Sequence, residues 1–138
     1  MVEKVNLLKL TKAYIELERL SEQKLPLKIS YQINKLMGRI SRPYQFYATK
    51  EFELLDKYKP EKQEGNQVTF STPEAYNQYS AEHDELDALE EEVDIEPIRI
   101  ESDSDIKISA SGIHVLMDVG MLEVIEKEDC HGTDCHHG

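Results

Sequence analysis

The chain has 138 residues, of which 39% are hydrophobic and 32% are charged, and it contains no tryptophan. This length suits one domain with a modest hydrophobic core. The formal net charge of −12 opposes contact with phosphate backbones, so we expect no direct binding to nucleic acid. No apolar run approaches the roughly 20 residues of a membrane-spanning helix, and we expect no contact with a membrane.

The charges divide the chain into two halves of opposite sign. Residues 1–62 hold 13 basic and 8 acidic residues, whereas residues 63–138 hold 3 basic and 20 acidic residues. Such a division favours a homo-oligomer or docking on a charged protein partner. The sequence leaves open whether the two halves meet within one chain or between chains.

The basic half is predicted to form a helical hairpin over about residues 11–58. Thr11 is a suitable N-cap for the first helix, and Pro26 fits the first turn of the second. Pro43 removes a hydrogen bond inside the second helix, so we expect a kink or break there. The apolar side chains of the second helix recur every three or four residues, at Ile29, Ile33, Leu36, Ile40, Tyr44 and Tyr47.

The acidic half, about residues 66–126, is predicted to alternate short strands with short helices. Candidate strands are 68–70, 93–100 with a bend at Pro97, and 121–126. The first helix begins after Ser71 or Thr72. A last short helix begins after Ser109 or Ser111 and stops at Gly120.

These elements predict a single α+β domain over residues 1–128. In it, a kinked αα-hairpin packs with a small, mostly antiparallel sheet and one or two short helices. Residues 129–138 form a separate tail that is rich in cysteine and histidine.

Eight carboxylates lie in the thirteen positions after His83, in the sequence HDELDALEEEVDIE. They indicate either the solvated face of a helix, with Leu86 and Leu89 turned inward, or a decoy surface that imitates nucleic-acid phosphates. His83 lies one helical turn from Asp87, which would hold its imidazole in one tautomer.

The second helix carries basic residues interleaved with tyrosines. We expect them to pair with the acidic half of the same or another subunit, because that half competes with phosphate for the cations. The predicted partner-binding residues are the basic Lys28, Lys35, Arg39 and Arg42 and the acidic Glu85, Glu90, Glu91 and Glu92.

The tail DCHGTDCHHG holds both cysteines and three of the five histidines. Thiolates and imidazoles are preferred ligands of Zn²⁺. One decapeptide that supplies every ligand ties down no other segment. The alternatives are therefore a disordered or weakly metal-binding tail without a cofactor, a specific zinc site, which two subunits could share, and a redox role for the cysteines. The candidate ligands are Cys130, His131, Cys135, His136 and His137.

The sequence contains no G-x-S-x-G, P-loop, H-E-x-x-H or dinucleotide-binding motif, and we expect no enzymatic activity. A basic segment followed by an apolar one is missing at the N-terminus, so we predict no secretory signal. Without an export signal, we expect the protein to stay in a reducing cytoplasm, where Cys130 and Cys135 form no disulfide.

The stretch LERLSEQKLPLKISYQINKLMGRI at residues 17–40 resembles a signature, LSEQKLPxKxSYxIxK, of a family of small proteins encoded by tailed bacteriophages and prophages. EEEVDIEPIRI and IKISASGIHVLMDVGMLEV resemble the later part of those proteins, so the resemblance covers about residues 7–126. It implies a phage product in the host cytoplasm or on the virion.

In that setting the sequence favours a non-enzymatic protein-interaction module, either a virion component or an assembly factor, that joins copies of itself or other phage or host proteins. The alternative is an anti-defence protein that mimics DNA. It would inhibit a host nucleic-acid enzyme through the acidic helix and strand at 84–96.

Overall fold

The computed structural model describes residues 2–59, 62–64 and 67–126. Four helices and six short strands follow one another in these ranges. They are β1 (Val2–Asn6), α1 (Leu7–Ser21), α2 (Leu27–Tyr58), β2 (Lys62–Glu64), β3 (Gln67–Thr69), α3 (Pro73–Ala88), β4 (Glu90–Asp94), β5 (Ile98–Glu101), α4 (Ala110–Asp118) and β6 (Leu122–Ile125).

The α+β class and the helical hairpin are confirmed, but the strands form three two-stranded ladders instead of one sheet. Within the described ranges β1 pairs with β4 and β2 with β3, both antiparallel, while β5 pairs with β6 in parallel. The strand predicted over 93–100 is therefore divided, because β4 and β5 belong to different ladders. Pro97 lies in the connection, where its missing N–H is not needed for pairing.

The first helix begins earlier than predicted. The Asn6 side chain accepts a hydrogen bond from the backbone N–H of Lys9 at 2.8 Å, so Asn6 is the N-cap. The prediction for Thr11 is wrong: it lies inside α1. Leu7 and Leu10 are consequently buried helical residues.

Helix α2 runs through Pro43 without interruption, so of the two expected outcomes the break is wrong, whereas the kink stays a prediction. Pro43 lies on the buried side of the helix, between Ile40 and Tyr47. Packing on both sides of the proline holds the helix together despite the hydrogen bond that proline removes. The hairpin itself buries fully the side chains Leu10, Leu17, Ile33, Leu36 and Ile40.

The predicted N-caps of the second half, and the glycine predicted to end its last helix, are confirmed. The Thr72 hydroxyl accepts from the N–H of Ala75 at 3.1 Å and caps α3, which begins at Pro73. The Ser109 hydroxyl accepts from the N–H of Gly112 at 3.0 Å and caps α4. Gly120 follows α4 with φ of +76°, the left-handed conformation that ends helices at glycine.

The hydrophobic core joins the hairpin to the β5–β6 ladder and to α4. Ile98, Leu116 and Met121 are fully buried there, together with the inner side of the hairpin. Among the helices that the structure describes, none combines the length and the apolar character required to cross a membrane.

Candidate interaction surfaces

Basic side chains of α2 meet acidic residues of the second half within one chain. Lys35 Nζ and Arg39 Nη1 each lie 3.2 Å from Glu96 Oε1, and Arg39 also donates to the carbonyl of Asp94 at 3.1 Å. The hydrogen bonds from Lys35 and Arg39 hold the pKa of the Glu96 carboxyl below its ordinary value. These two predicted partner-binding cations are therefore engaged inside the chain.

A second ionic contact lies near the end of α2. Lys57 Nζ is 3.1 Å from Glu82 Oε2, and the Tyr58 hydroxyl donates a hydrogen bond to the same carboxylate. The bonds from Tyr58 and Lys57 lower the pKa of Glu82. The charges of the two halves thus meet within the chain at Glu82 as well as at Glu96.

His83 on α3 lies between two carboxylates. Its Nε2 is 2.8 Å from Glu51 Oε2 on α2, and its Nδ1 is 3.3 Å from Asp87 Oδ2. Asp87 also accepts from the Tyr47 hydroxyl at 2.5 Å. The predicted contact between His83 and Asp87 is confirmed, whereas Glu51 and Tyr47 come from a separate helix and were not predicted.

The carboxylates decide the charge of His83. Its side chain is only 19% exposed, and burial by itself would lower the pKa of the imidazole. The bonds and charges of Glu51 and Asp87 outweigh burial, and the pKa is raised above its ordinary value. The rings of Tyr47 and Tyr79 pack around the imidazole. The two carboxylates therefore favour the protonated form of the imidazole, and their contacts with His83 join α3 to α2.

The group formed by His83, Glu51 and Asp87 does not suit a metal ion, because each ring nitrogen of His83 already faces a carboxylate. Within the described part of the chain, no group of three or more His, Cys, Asp or Glu side chains is arranged to bind a metal. Cys130, His131, Cys135, His136 and His137 lie outside the described residues, and the zinc site stays a prediction.

The outer face of α2, on the side away from the core, carries large apolar side chains in contact with solvent. Leu27 is 86% exposed, Tyr31 is 64% exposed and Phe52 is 71% exposed. Their spacing places them on one side of the helix. The exposed Arg42 lies between them. Like Lys28, it forms no ion pair with any residue in the described ranges.

The predicted acidic residues form a separate surface. Glu90, Glu91 and Glu92 are exposed on β4, and the register places Glu92 opposite Lys4 of β1. Glu85 is exposed on α3 beside a groove of about 370 Å³. The stretch 84–96 therefore combines the end of a helix with a strand, as predicted, but the cations of α2 contact Glu96 and not the three consecutive glutamates.

No protein-family model matches this chain, and neither a curated protein nor a solved structure is significantly similar to it. The bacteriophage origin therefore stays a prediction.

Proposed function

We propose that the protein is a non-enzymatic interaction module of a tailed bacteriophage, acting as a virion component or an assembly factor. The outer face of α2 carries this proposal, because three large apolar side chains, Leu27, Tyr31 and Phe52, lie in solvent along one helix. Covering apolar surface contributes about 25 cal/mol per Å². Tyr31 and Phe52 are separated along the helix by about 30 Å, at a rise of 1.5 Å per residue, and the exposed Asn34 and Gln45 lie between them on the same side. The face therefore offers two separate apolar contact points, each of which a protein partner can cover.

The internal ion pairs support the same function. Lys35 and Arg39 fasten α2 to Glu96, so the helix is presented in a fixed position. Lys28 directly follows Leu27, and Arg42 lies about midway between Tyr31 and Phe52. Neither forms an ion pair with a residue in the described ranges, so both can contact carboxylates of another phage or host protein. A partner with an apolar surface bordered by acidic groups fits this face.

The experiment compares wild-type protein with a variant carrying Leu27→Ser, Tyr31→Ser and Phe52→Ser. These side chains are exposed, so the variant should keep its helical circular dichroism. We expect mass spectrometry to find the wild-type protein in purified phage particles or assembly intermediates, and the variant to be depleted at least tenfold.

A matched control replaces three exposed polar residues of α3, with Glu74→Ser, Asn77→Ser and Gln78→Ser. This control should remain associated with particles or intermediates. Absence of the wild-type protein from both, or equal retention of the apolar-face variant, would contradict the proposed function.

The exposed Glu90, Glu91 and Glu92 favour a second candidate function, inhibition of a host nucleic-acid enzyme by a DNA-mimicking surface. β4 exposes all three carboxylates, with Glu90 and Glu92 on one face of the strand and Glu91 on the other, because successive side chains alternate. If this candidate is right, replacing all three with Gln abolishes inhibition of the enzyme. Undiminished inhibition by the Gln variant would eliminate it.

A further inference from the structure

A groove of about 370 Å³ runs between the second half of α2 and the end of α3. Its floor is formed by the half-buried Leu54 of α2 and the buried Leu86 of α3. Phe46 and Leu89 border the groove, and these two side chains are 44% and 45% exposed. Two neighbouring helices that present apolar side chains to a common groove are suited to the docking of a further helix.

The charges that line this groove leave one acidic group without a partner. Lys50 lies 3.1 Å from Glu53, and Lys57 lies 3.1 Å from Glu82. The Glu85 carboxylate forms no ion pair or hydrogen bond with any residue that the structure describes. The groove therefore suits a helix that carries a cation beside its apolar side chains.

The start of α2 has these properties. Leu27 and Tyr31 lie about one helical turn apart and are 86% and 64% exposed. Lys28 is exposed next to Leu27 and has no ion pair in the described ranges. Tyr31 is separated from Phe46 by about 22 Å along the same helix, at a rise of 1.5 Å per residue. The start of α2 therefore cannot fill the groove of its own chain.

We propose that the first two turns of α2 dock in the α2–α3 groove of a second copy of this chain. Leu27 and Tyr31, which we call the anchors, enter the groove above its two leucines. Lys28 lies beside the anchors and pairs with Glu85 of the second copy. The contact removes apolar surface from water on both copies and gives each of the two unpaired charges an opposite one.

This contact rests on the proposed function and names the partner of one of its two apolar contact points. The groove beside Glu85 is an apolar surface bordered by an acidic group, as the outer face of α2 requires. The contact also joins the basic half of one copy to the acidic half of another. Because every copy carries both the anchors and the groove, the contact can be reciprocal in a dimer or continue to further copies.

The test measures self-association of the full-length protein by sedimentation velocity. One variant carries Leu27→Ser and Tyr31→Ser in the anchors, and the other carries Phe46→Ser and Leu89→Ser in the groove. We expect the wild type to associate as its concentration rises and each variant alone to be monomeric. An equimolar mixture of the two variants should form a 1:1 complex, because one keeps an intact groove and the other keeps intact anchors.

A second measurement reverses the charges of the proposed ion pair and leaves the apolar surfaces unchanged. Lys28→Glu and Glu85→Lys, made singly, should each raise the dissociation constant at least fivefold. The double variant should recover it to within about threefold of the wild type. Lys12→Glu and Glu74→Lys reverse exposed charges elsewhere on α1 and α3 and should leave it unchanged. If the groove variant loses its helical circular dichroism, the charge reversals decide.

Self-association that persists in the anchor variant would overturn the contact. A mixture that stays monomeric, although both variants keep their helical circular dichroism, would also overturn it, as would single charge reversals without effect. A wild-type protein that is monomeric, yet is found in phage particles, would overturn the self-association and leave the proposed function standing.

Discussion

His83 is the residue at which α2 and α3 are held together by charge. Glu51 and Tyr47 reach its surroundings from α2, and Asp87 and Tyr79 from α3. The imidazole is largely enclosed, so its charged form depends on the two carboxylates. Protonation of one side chain is therefore linked to the stability of the contact between the helices.

We expect the free energy of unfolding to fall as the pH rises from about 6.5, the ordinary histidine value, through the raised pKa of His83. The folded-state pKa lies above the unfolded-state value, so the stabilisation is complete below the unfolded pKa and is lost above the folded one. Urea unfolding at a series of pH values measures this dependence.

His83→Gln retains a polar side chain but does not titrate, so it should lack this decrease. His114→Gln is the matched control, because His114 is exposed on α4, and this variant should follow the wild type. Parallel curves for the wild type and His83→Gln would show that His83 does not contribute.

At the scale of single elements, two glycines have opposite roles. Gly38 lies inside α2 and a Cβ added there meets no atom within 4 Å, whereas Gly120 ends α4 with φ of +76°. Gly38→Ala should stabilise the protein by about 0.5–1 kcal/mol, because alanine loses less backbone entropy in a helix. Gly120→Ala should destabilise it by about 1–2 kcal/mol, because a Cβ disfavours the left-handed conformation. Urea unfolding of both variants checks this, and equal signs would contradict it.

Elements that depend on neighbouring residues could be predicted from the sequence. Thr72, Ser109 and Gly120 act within a few positions of themselves, and each prediction is confirmed. The start of α1 was predicted wrongly, at Thr11, because apolar residues at Val5, Leu7 and Leu10 fit a strand as well as a helix. The pairing of β1 with a distant β4 decides between them.

The candidate surfaces show the same difference between contacts that depend on neighbouring residues and contacts that depend on the tertiary fold. The contact between His83 and Asp87 spans one helical turn and could be predicted. Glu51 could not, because its approach depends on how α3 packs against α2. The charge of the two halves indicated that cations of α2 meet carboxylates, but the choice of Glu96 over Glu90, Glu91 or Glu92 is made by the tertiary fold.

For the whole molecule, the hydrophobic core extends from Val5 to Leu122. We therefore expect a chain truncated after Glu128 to unfold at the same urea concentration as the full chain, with a chelator present in both samples. Loss of folding on truncation would contradict this, as would stoichiometric zinc in the protein as isolated. Either result would mean that the cysteine and histidine tail takes part in the folded structure.

The β1–β4 ladder also has a consequence for the order of folding. It joins Val5 to Glu91, residues that are 86 positions apart in the chain. Bringing such distant segments together costs chain entropy before the ladder contributes its hydrogen bonds. The contacts of the α1–α2 hairpin are closer in sequence and can form first. We therefore expect the rate of folding to be limited by the arrival of β4 beside β1, with both helices of the hairpin already in place.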